Sequence, residues 1–291
     1  EISGIERFHP KVRNNSRKEN TMRILGSGLL VLLVVGLVFS AAIAQEEEAV
    51  SEGLLSDLGF EVSGDLAFYS NYMWRGFMLD GDAVIQPGMY LTTPESPLGS
   101  LTFGVWASRD LQSNDSLASA ETDLSLDYTY SLEDIDLVDA LDLSLGLIYY
   151  DFTDIDGFSR ETYVGLSLPE LLLSLSLFFY YDFGREEDGG GDGSYTEIGL
   201  SHSVPFTVPV SGKDVNMSLD LGTAIGFNHE QYIAGDGGQA TVSCGITVPL
   251  TASLSFQPNI AYTMPWGDLE EPADGNQKSR FWGGIYMSYS F

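Results

Sequence analysis

Leu141-Asp142-Leu143-Ser144-Leu145-Gly146-Leu147 (141–147) decides the fold. Leucine at every second position, with Asp, Ser and Gly between, puts an apolar row on one side of an extended chain and small or acidic residues on the other. A helix would scatter both sets around its axis. The same period recurs along the chain. Leu171, Leu173, Leu175, Leu177 and Phe179 alternate with Ser174 and Ser176, although Leu172 and Phe178 blur the pattern. Met217, Leu219, Leu221 and Ile225 alternate with Asn216, Ser218, Asp220 and Gly222; Val242, Cys244, Ile246 and Val248 with Thr241, Ser243, Gly245 and Thr247. Leu254, Phe256, Ile260 and Tyr262 alternate with Ser253, Ser255, Gln257 and Asn259.

A soluble sandwich also alternates, so the polar face discriminates. Here it is Ser, Thr, Gly and Asn rather than Lys and Glu, and lysine is almost absent from the runs. An apolar outside with a small, uncharged or acidic inside is the requirement of a barrel immersed in lipid around a wet lumen. The fold class expected is therefore all-β, a transmembrane antiparallel up-and-down β-barrel of about 12 strands. The runs fall near 58–77, 83–93, 99–110, 121–132, 140–152, 159–169, 171–183, 194–206, 214–229, 238–250, 252–265 and 279–291, the second being the least regular. An even number keeps both termini at one end.

The connections alternate in character. One set is short and marked by Pro94 and Pro97, Pro169, Pro205 and Pro209, and Pro249. The other is glycine-rich and acidic, at 80–82, 154–157, 185–193, 235–238 and 267–275. Periplasmic turns and extracellular loops differ in this way. Beside the acidic loops stand Tyr72, Trp74 and Phe77, Tyr149 and Phe152, Tyr181 and Phe183, Trp266, and Phe281 with Trp282, which read as an interfacial girdle.

The N-terminus reads as targeting sequence. Arg23 follows Met22, an apolar run extends from Ile24 to Phe39, and Ala42-Ile43-Ala44 precedes Gln45 in the pattern that signal peptidase cuts. The expected organisation is an upstream extension at 1–21, a signal peptide at 22–44, an acidic periplasmic lead at 45–57 and the barrel at 58–291. A retained anchor is the alternative, which Gly26, Gly28 and Gly36 disfavour.

The chain has 291 residues with 42 acidic and 13 basic side chains, a formal net charge of −29. Cleavage after Ala44 would remove six basic and three acidic residues and leave it more acidic still. Such a charge argues against nucleic acid as a partner and for cations as counter-species. Cys244 is the sole cysteine, so neither an internal disulfide nor a Cys metal cluster is available. No cofactor motif appears.

In-phase carboxylates expected to line the lumen are Glu61, Asp65, Asp123, Asp127, Asp142, Asp182, Glu197 and Asp220, against few basic residues such as Arg75 and Arg280. Such a lining favours cations over anions. Arg75 takes the inward phase with Glu61, Asp65, Tyr69 and Asn71; a structural ion pair and a role in solute selection are its two readings. By the same count Tyr72 and Trp74 should face lipid. Tyr69, Trp106, Tyr150 and Tyr180 are the bulky inner residues able to plug the path. The loop acids Glu186, Glu187, Asp188 and Asp192 lack EF-hand spacing and read first as a solvated loop, second as a calcium or lipopolysaccharide contact. A lipase-type enzyme needs a Ser-His pair. His202 and His229 are the histidines beyond Ala44, and adjacent Ser201 and His202 point oppositely on a strand, so no enzyme is expected.

Residues 69–77, Tyr-Ser-Asn-Tyr-Met-Trp-Arg-Gly-Phe, followed by Asp80, Gly81, Asp82, Ala83, Ile85, Gln86 and Gly88, resemble the opening of the TorF-type porin family; Pro87 departs from it, where a small residue such as Gly is expected. The resemblance implies an outer-membrane barrel of porin type without a defined substrate. The C-terminal run, with Phe281, Ile285, Met287, Tyr289 and Phe291 in one phase, is similar to the signal read by the bacterial barrel-assembly machinery, carried by Tyr289 and Phe291. The expected function is a porin-like outer-membrane channel of a Gram-negative bacterium, passing small cationic or neutral solutes. Its expected partners are outer-membrane lipid and lipopolysaccharide. A structural or surface-interaction barrel with a plugged lumen is the alternative, and a lipid-modifying enzyme ranks below it.

Overall fold

Alternation of this kind makes each segment a two-faced ribbon with two open edges, and in hydrocarbon a closed ring is the sheet that satisfies both edges of every strand. The computed structural model describes residues 54–112, 120–135, 138–153, 157–210 and 212–290. Its elements are α1 (Leu54–Asp57), β1 (Glu61–Tyr69), β2 (Tyr72–Trp74), β3 (Phe77–Asp80), β4 (Val84–Thr92), β5 (Ser100–Asp110), β6 (Ala120–Ile135), β7 (Val138–Phe152), β8 (Gly157–Leu168), β9 (Ser174–Asp182), β10 (Gly193–Val210), β11 (Lys213–His229), β12 (Asp236–Pro249), β13 (Leu254–Gly267) and β14 (Arg280–Ser290). Twelve strands, β1 and β4 through β14, form a closed antiparallel barrel in sequence order. Closure comes from β1 against β14, Ser63 opposite Ser290 through Tyr69 opposite Gly284. Among the described residues no helix is long and apolar enough to cross a membrane. The crossing elements are strands, and Leu124, Leu145, Leu147, Val164, Leu166 and Leu221 stand exposed on the outer face. A band of that composition belongs in lipid.

Both described ends of the ring lie on one side, the terminal end; the other is the distal end. Each of the twelve sequence runs corresponds to a barrel strand, with four corrections. The run 58–77 ends at Tyr69, and β2 and β3 form a separate two-stranded hairpin. Leu171 to Leu173 belong to the turn before β9. Pro205 and Pro209 lie inside β10, opposite Ser218 and Asp214, rather than in the turn. Phe152 and Trp282 share the inward phase: Phe152 stacks on Tyr150 and the Trp282 indole N–H donates to Thr263 Oγ1 at 3.0 Å. Pro87 is accommodated within β4, where the β4–β5 register skips from Ile85 to Gly88. A second skip, between Gly245 and Val248, lies opposite Pro258. A residue without an N–H interrupts a ladder locally and leaves the strand otherwise intact. The upstream extension, the signal peptide, the lead as far as residue 53, and Phe291 lie outside the described residues, while 54–57 of the lead form α1.

Glycine on the inner face makes room for neighbouring rings. A Cβ on Gly146 would sit 2.1 Å from the Tyr163 ring, and one on Gly165 2.2 Å from the Phe178 ring. Each ring lies flat across the glycine of the next strand, which holds its face toward the lumen. Gly146→Ala should therefore destabilise the barrel by about 1–3 kcal/mol, the usual cost of overpacking. Thermal loss of the compact, fast-migrating gel band in detergent measures it, with Ser144→Ala on the same face as the unaffected control.

Candidate functional site

A ring of twelve strands is wider than one that its own wall side chains fill. The hairpin β2–β3 occupies the surplus at the distal end. It turns on Arg75-Gly76, with φ of 47° and 86°, so that Trp74 pairs with Phe77 across a two-residue loop. Positive φ at both positions is the pattern of the tight hairpin whose twist matches its strands. Glycine is required at 76, since a Cβ there would meet Gln239 and Leu269 at 2.8 Å. Arginine is an unusual occupant of the left-handed region, at a cost of about 1–2 kcal/mol. Its side-chain bonds supply the offset.

The Arg75 guanidinium forks onto Glu161 of β8, Nη1 to Oε2 at 2.6 Å and Nη2 to Oε1 at 2.8 Å, and also donates to Gln231 Oε1 at 3.1 Å. Glu161 accepts two further bonds, from Gln231 Nε2 at 2.9 Å and the Tyr150 hydroxyl at 3.1 Å. The side chains are 8% and 0% exposed. The guanidinium carbon lies 4.6 Å from the centre of the Trp74 ring, 4.1 Å from that of Tyr180 and 4.6 Å from that of Tyr195. Burial works against the cation, and the Glu161 bonds and charge overcome it, holding Arg75 above its ordinary pKa. A charge pair removed from water is tolerable when its hydrogen bonds are complete in this way.

Apolar packing secures the rest of the hairpin. Tyr72 is buried with Val84 against Tyr69, Trp74, Leu79 and Trp106. Phe77 is buried with Ile233 and Leu269, from the loops after β11 and β13, and Tyr232 packs beside them. The Met78 N–H donates to Gln277 Oε1 at 3.0 Å. The hairpin is thus enclosed between the barrel wall and two loops folded over it, and the distal half of the lumen is filled. Tyr72, Trp74 and Phe77 correct the girdle reading: they face inward because the chain leaves the wall after Tyr69 and forms a separate hairpin within the lumen.

The inner face toward the terminal end is open, with Ser201 and Ser203 exposed. Its carboxylates are held by hydroxyls. Asp127 accepts from Tyr163 at 2.6 Å and Thr129 at 2.7 Å, and Asp142 from Ser131 at 2.7 Å. Glu197 lies nearer the distal end, beside the Arg75 site, and accepts from Tyr195 at 2.8 Å. Asp220 accepts from Ser203 and Thr247, both at 2.6 Å, and from Ser218 and Gln257. Asp65 borders a recess of ≈ 360 Å³ with Ser63, Tyr90, Ser255, Tyr286 and Ser288. Glu61 sits exposed at the terminal rim, within reach of the Ser290 hydroxyl at 3.3 Å. Asp123 lies deeper, beside Glu121, and each has one buried oxygen without a hydrogen-bond partner among the described residues. Asp182 organises a distal loop, accepting from Ser159 at 2.6 Å and from the N–H groups of Gly184 and Gly191 at 2.8 and 3.0 Å. Arg280 stands at the distal mouth beside Met78. Among the described residues, Arg75 and Arg280 are the basic side chains on the inner side.

Glu121 and Glu161 were absent from the sequence reading although their phase reveals them, Glu161 sharing that of Tyr163 and Glu121 that of Asp123 and Asp127. Among the described residues, the carboxylates close enough to hold a cation are Asp80, Asp82 and Asp110, with ligand atoms within 4.8 Å of one another, rather than the loop acids at 186–192. Asp80 Oδ1 already accepts the Asp82 N–H at 2.8 Å, and Asp110 Oδ1 that of Gln112 at 2.8 Å. His202 lies on the outer face opposite Leu221, and His229 pairs with Asp236 at the exposed rim at 2.5 Å.

Removing one partner of the buried pair strands the other charge, so Glu161→Gln and Arg75→Ala should each cost about 3–5 kcal/mol. The double variant should cost less than the sum, because the two side chains act as one unit. Unfolding midpoints in detergent for the three variants test this.

Among solved structures, the chain is similar to the KdgM porin (8% identity, covering 79% of this chain and 99% of that one, TM-score 0.43). It is similar to the COG4313 outer membrane channel from Pseudomonas putida F1 (12%, 84% and 97%, TM-score 0.43). It is also similar to outer membrane phospholipase A from Escherichia coli (11%, 82% and 98%, TM-score 0.43). No curated protein matches the sequence. The family model described as bacterial protein of unknown function (Gcw_chp) matches residues 55–208, more than half of the chain, and the chain belongs to that family.

Proposed function

We propose that this protein is an outer-membrane channel of porin type that is closed in the conformation described, with its terminal end in the periplasm and its distal end outside the cell. The observation that carries the reading is the contrast between the two halves of the lumen. A barrel that served only as a scaffold has no use for a polar, acidic inner wall, yet Ser203, Ser218, Thr247 and Gln257 surround Asp220 there, and Asp65, Asp127 and Asp142 add further carboxylates. Such a wall draws small cations and passes neutral solutes while repelling anions. The distal seal is a short hairpin outside the barrel's ladders, held to β8 by the Arg75 side chain, so its movement opens the path. The resemblance of residues 69–88 to TorF-type porins points the same way, and entry through the expected signal peptide, with assembly directed by Tyr289 and Phe291, fits this placement.

The plugged structural barrel is the second reading, favoured by the filled distal half. Planar-bilayer recordings separate the two. In asymmetric KCl the protein should show brief openings with a reversal potential on the cation side, and replacing Asp65, Asp127 and Asp220 with Asn should shift that potential toward zero. Arg75→Ala should lengthen the openings. A folded, heat-modifiable protein that conducts in neither form is a structural barrel.

A further inference from the structure

Arg75 is held as a ligand is held. Most of its pocket belongs to the barrel wall and a distal loop: Glu161 on β8, Tyr180 on β9, Tyr195 on β10 and Gln231 in the loop after β11. The hairpin contributes the guanidinium and the Trp74 ring. The wall presents a carboxylate fork, one amide carbonyl and two ring faces, which together match a flat, forked cation better than a compact ammonium. Glu161 needs such a group, since without Arg75 it keeps two neutral donors, Tyr150 and Gln231, for a buried charge.

The approach from the terminal side is lined in the same chemistry. Tyr180 is half-buried and lies 5.3 Å from Tyr163 and 5.9 Å from Phe178 between ring centres, and 6.1 Å from Tyr195. Asp127 is bonded to Tyr163 and Glu197 to Tyr195, so carboxylates stand beside the rings. A row of ring faces edged with acids is a path along which an organic cation can move without losing its contacts.

We propose that Glu161, Gln231, Tyr180 and Tyr195 form a recognition site for guanidinium-bearing solutes, occupied in the closed protein by Arg75, and that an incoming guanidinium displaces Arg75 and frees the hairpin. The release step rests on the channel reading above; the recognition step stands without it. The closed protein then inhibits itself with a copy of the group it recognises. A ligand must compete with a tethered arginine, so wild-type protein responds at high concentration and the emptied site at low concentration.

The experiment is calorimetric titration of Arg75→Ala protein in detergent with methylguanidinium, with tetramethylammonium as the comparison, alongside bilayer recordings of the wild type. Saturable one-to-one binding of methylguanidinium is expected, at least about tenfold tighter than tetramethylammonium, and about tenfold or more weaker in Arg75→Ala/Glu161→Gln, the size of a forked charge-assisted contact. Equal binding of the two cations, or binding that survives loss of the Glu161 charge, would overturn the site. Should Arg75→Ala not refold, refolding with either cation decides: rescue by methylguanidinium alone supports the site, and rescue by neither or by both overturns it. In wild-type recordings methylguanidinium should raise the open fraction. Specific binding with no conductance in either protein would uphold the site while overturning release and the channel together.

Discussion

In hydrocarbon, every backbone N–H and C=O on a strand edge must find a partner, and this protein meets that demand by pairing β1 with β14. Closure at twelve strands then fixes a lumen too wide for its own wall to fill, which leaves a second problem at the distal end. The chain solves it between Tyr69 and Val84. Instead of leaving as a loop it folds back, and the turn at Arg75-Gly76 carries a cation to the fully buried Glu161 on β8. The seal is therefore a consequence of the ring's size together with one charge pair.

The pair is a demanding device. Its desolvation is offset only because Glu161 has four donors and Arg75 has two acceptors and three ring faces. Apolar side chains of similar volume would hold a permanent plug at least as firmly, since replacing buried ion pairs by packed hydrophobes is often neutral or stabilising. A left-handed arginine adds local strain that a glycine or asparagine at position 75 would avoid. Strain and buried charge placed together in the hairpin favour a seal that can be exchanged over one that is only strong.

Much of the barrel was legible in the sequence because a period of two survives every context in which one face meets lipid and the other water. The runs at 141–147 and 216–225 needed only that rule. The rule failed between Tyr69 and Phe77, where counting by twos across the break after Tyr69 assigns Tyr72 and Trp74 to lipid. Arg-Gly is a weaker turn signal than Asn-Gly, and the aromatic residues on both sides continue to look like strand. Pro205 and Pro209 misled in the opposite direction, as turn markers that the β10 ladder tolerates. The inward phase found Asp65, Asp127 and Asp220, but no local pattern links Arg75 to a glutamate 86 positions away.

Hydrogen–deuterium exchange of residues 72–80 in the protein reconstituted into detergent or lipid tests the seal most directly. Protection close to that of the barrel strands in the wild type, lost in Glu161→Gln while the strands stay protected, is the expected result. Rapid exchange of these residues in the wild type would show a surface loop, and would contradict a lumen closed by the hairpin.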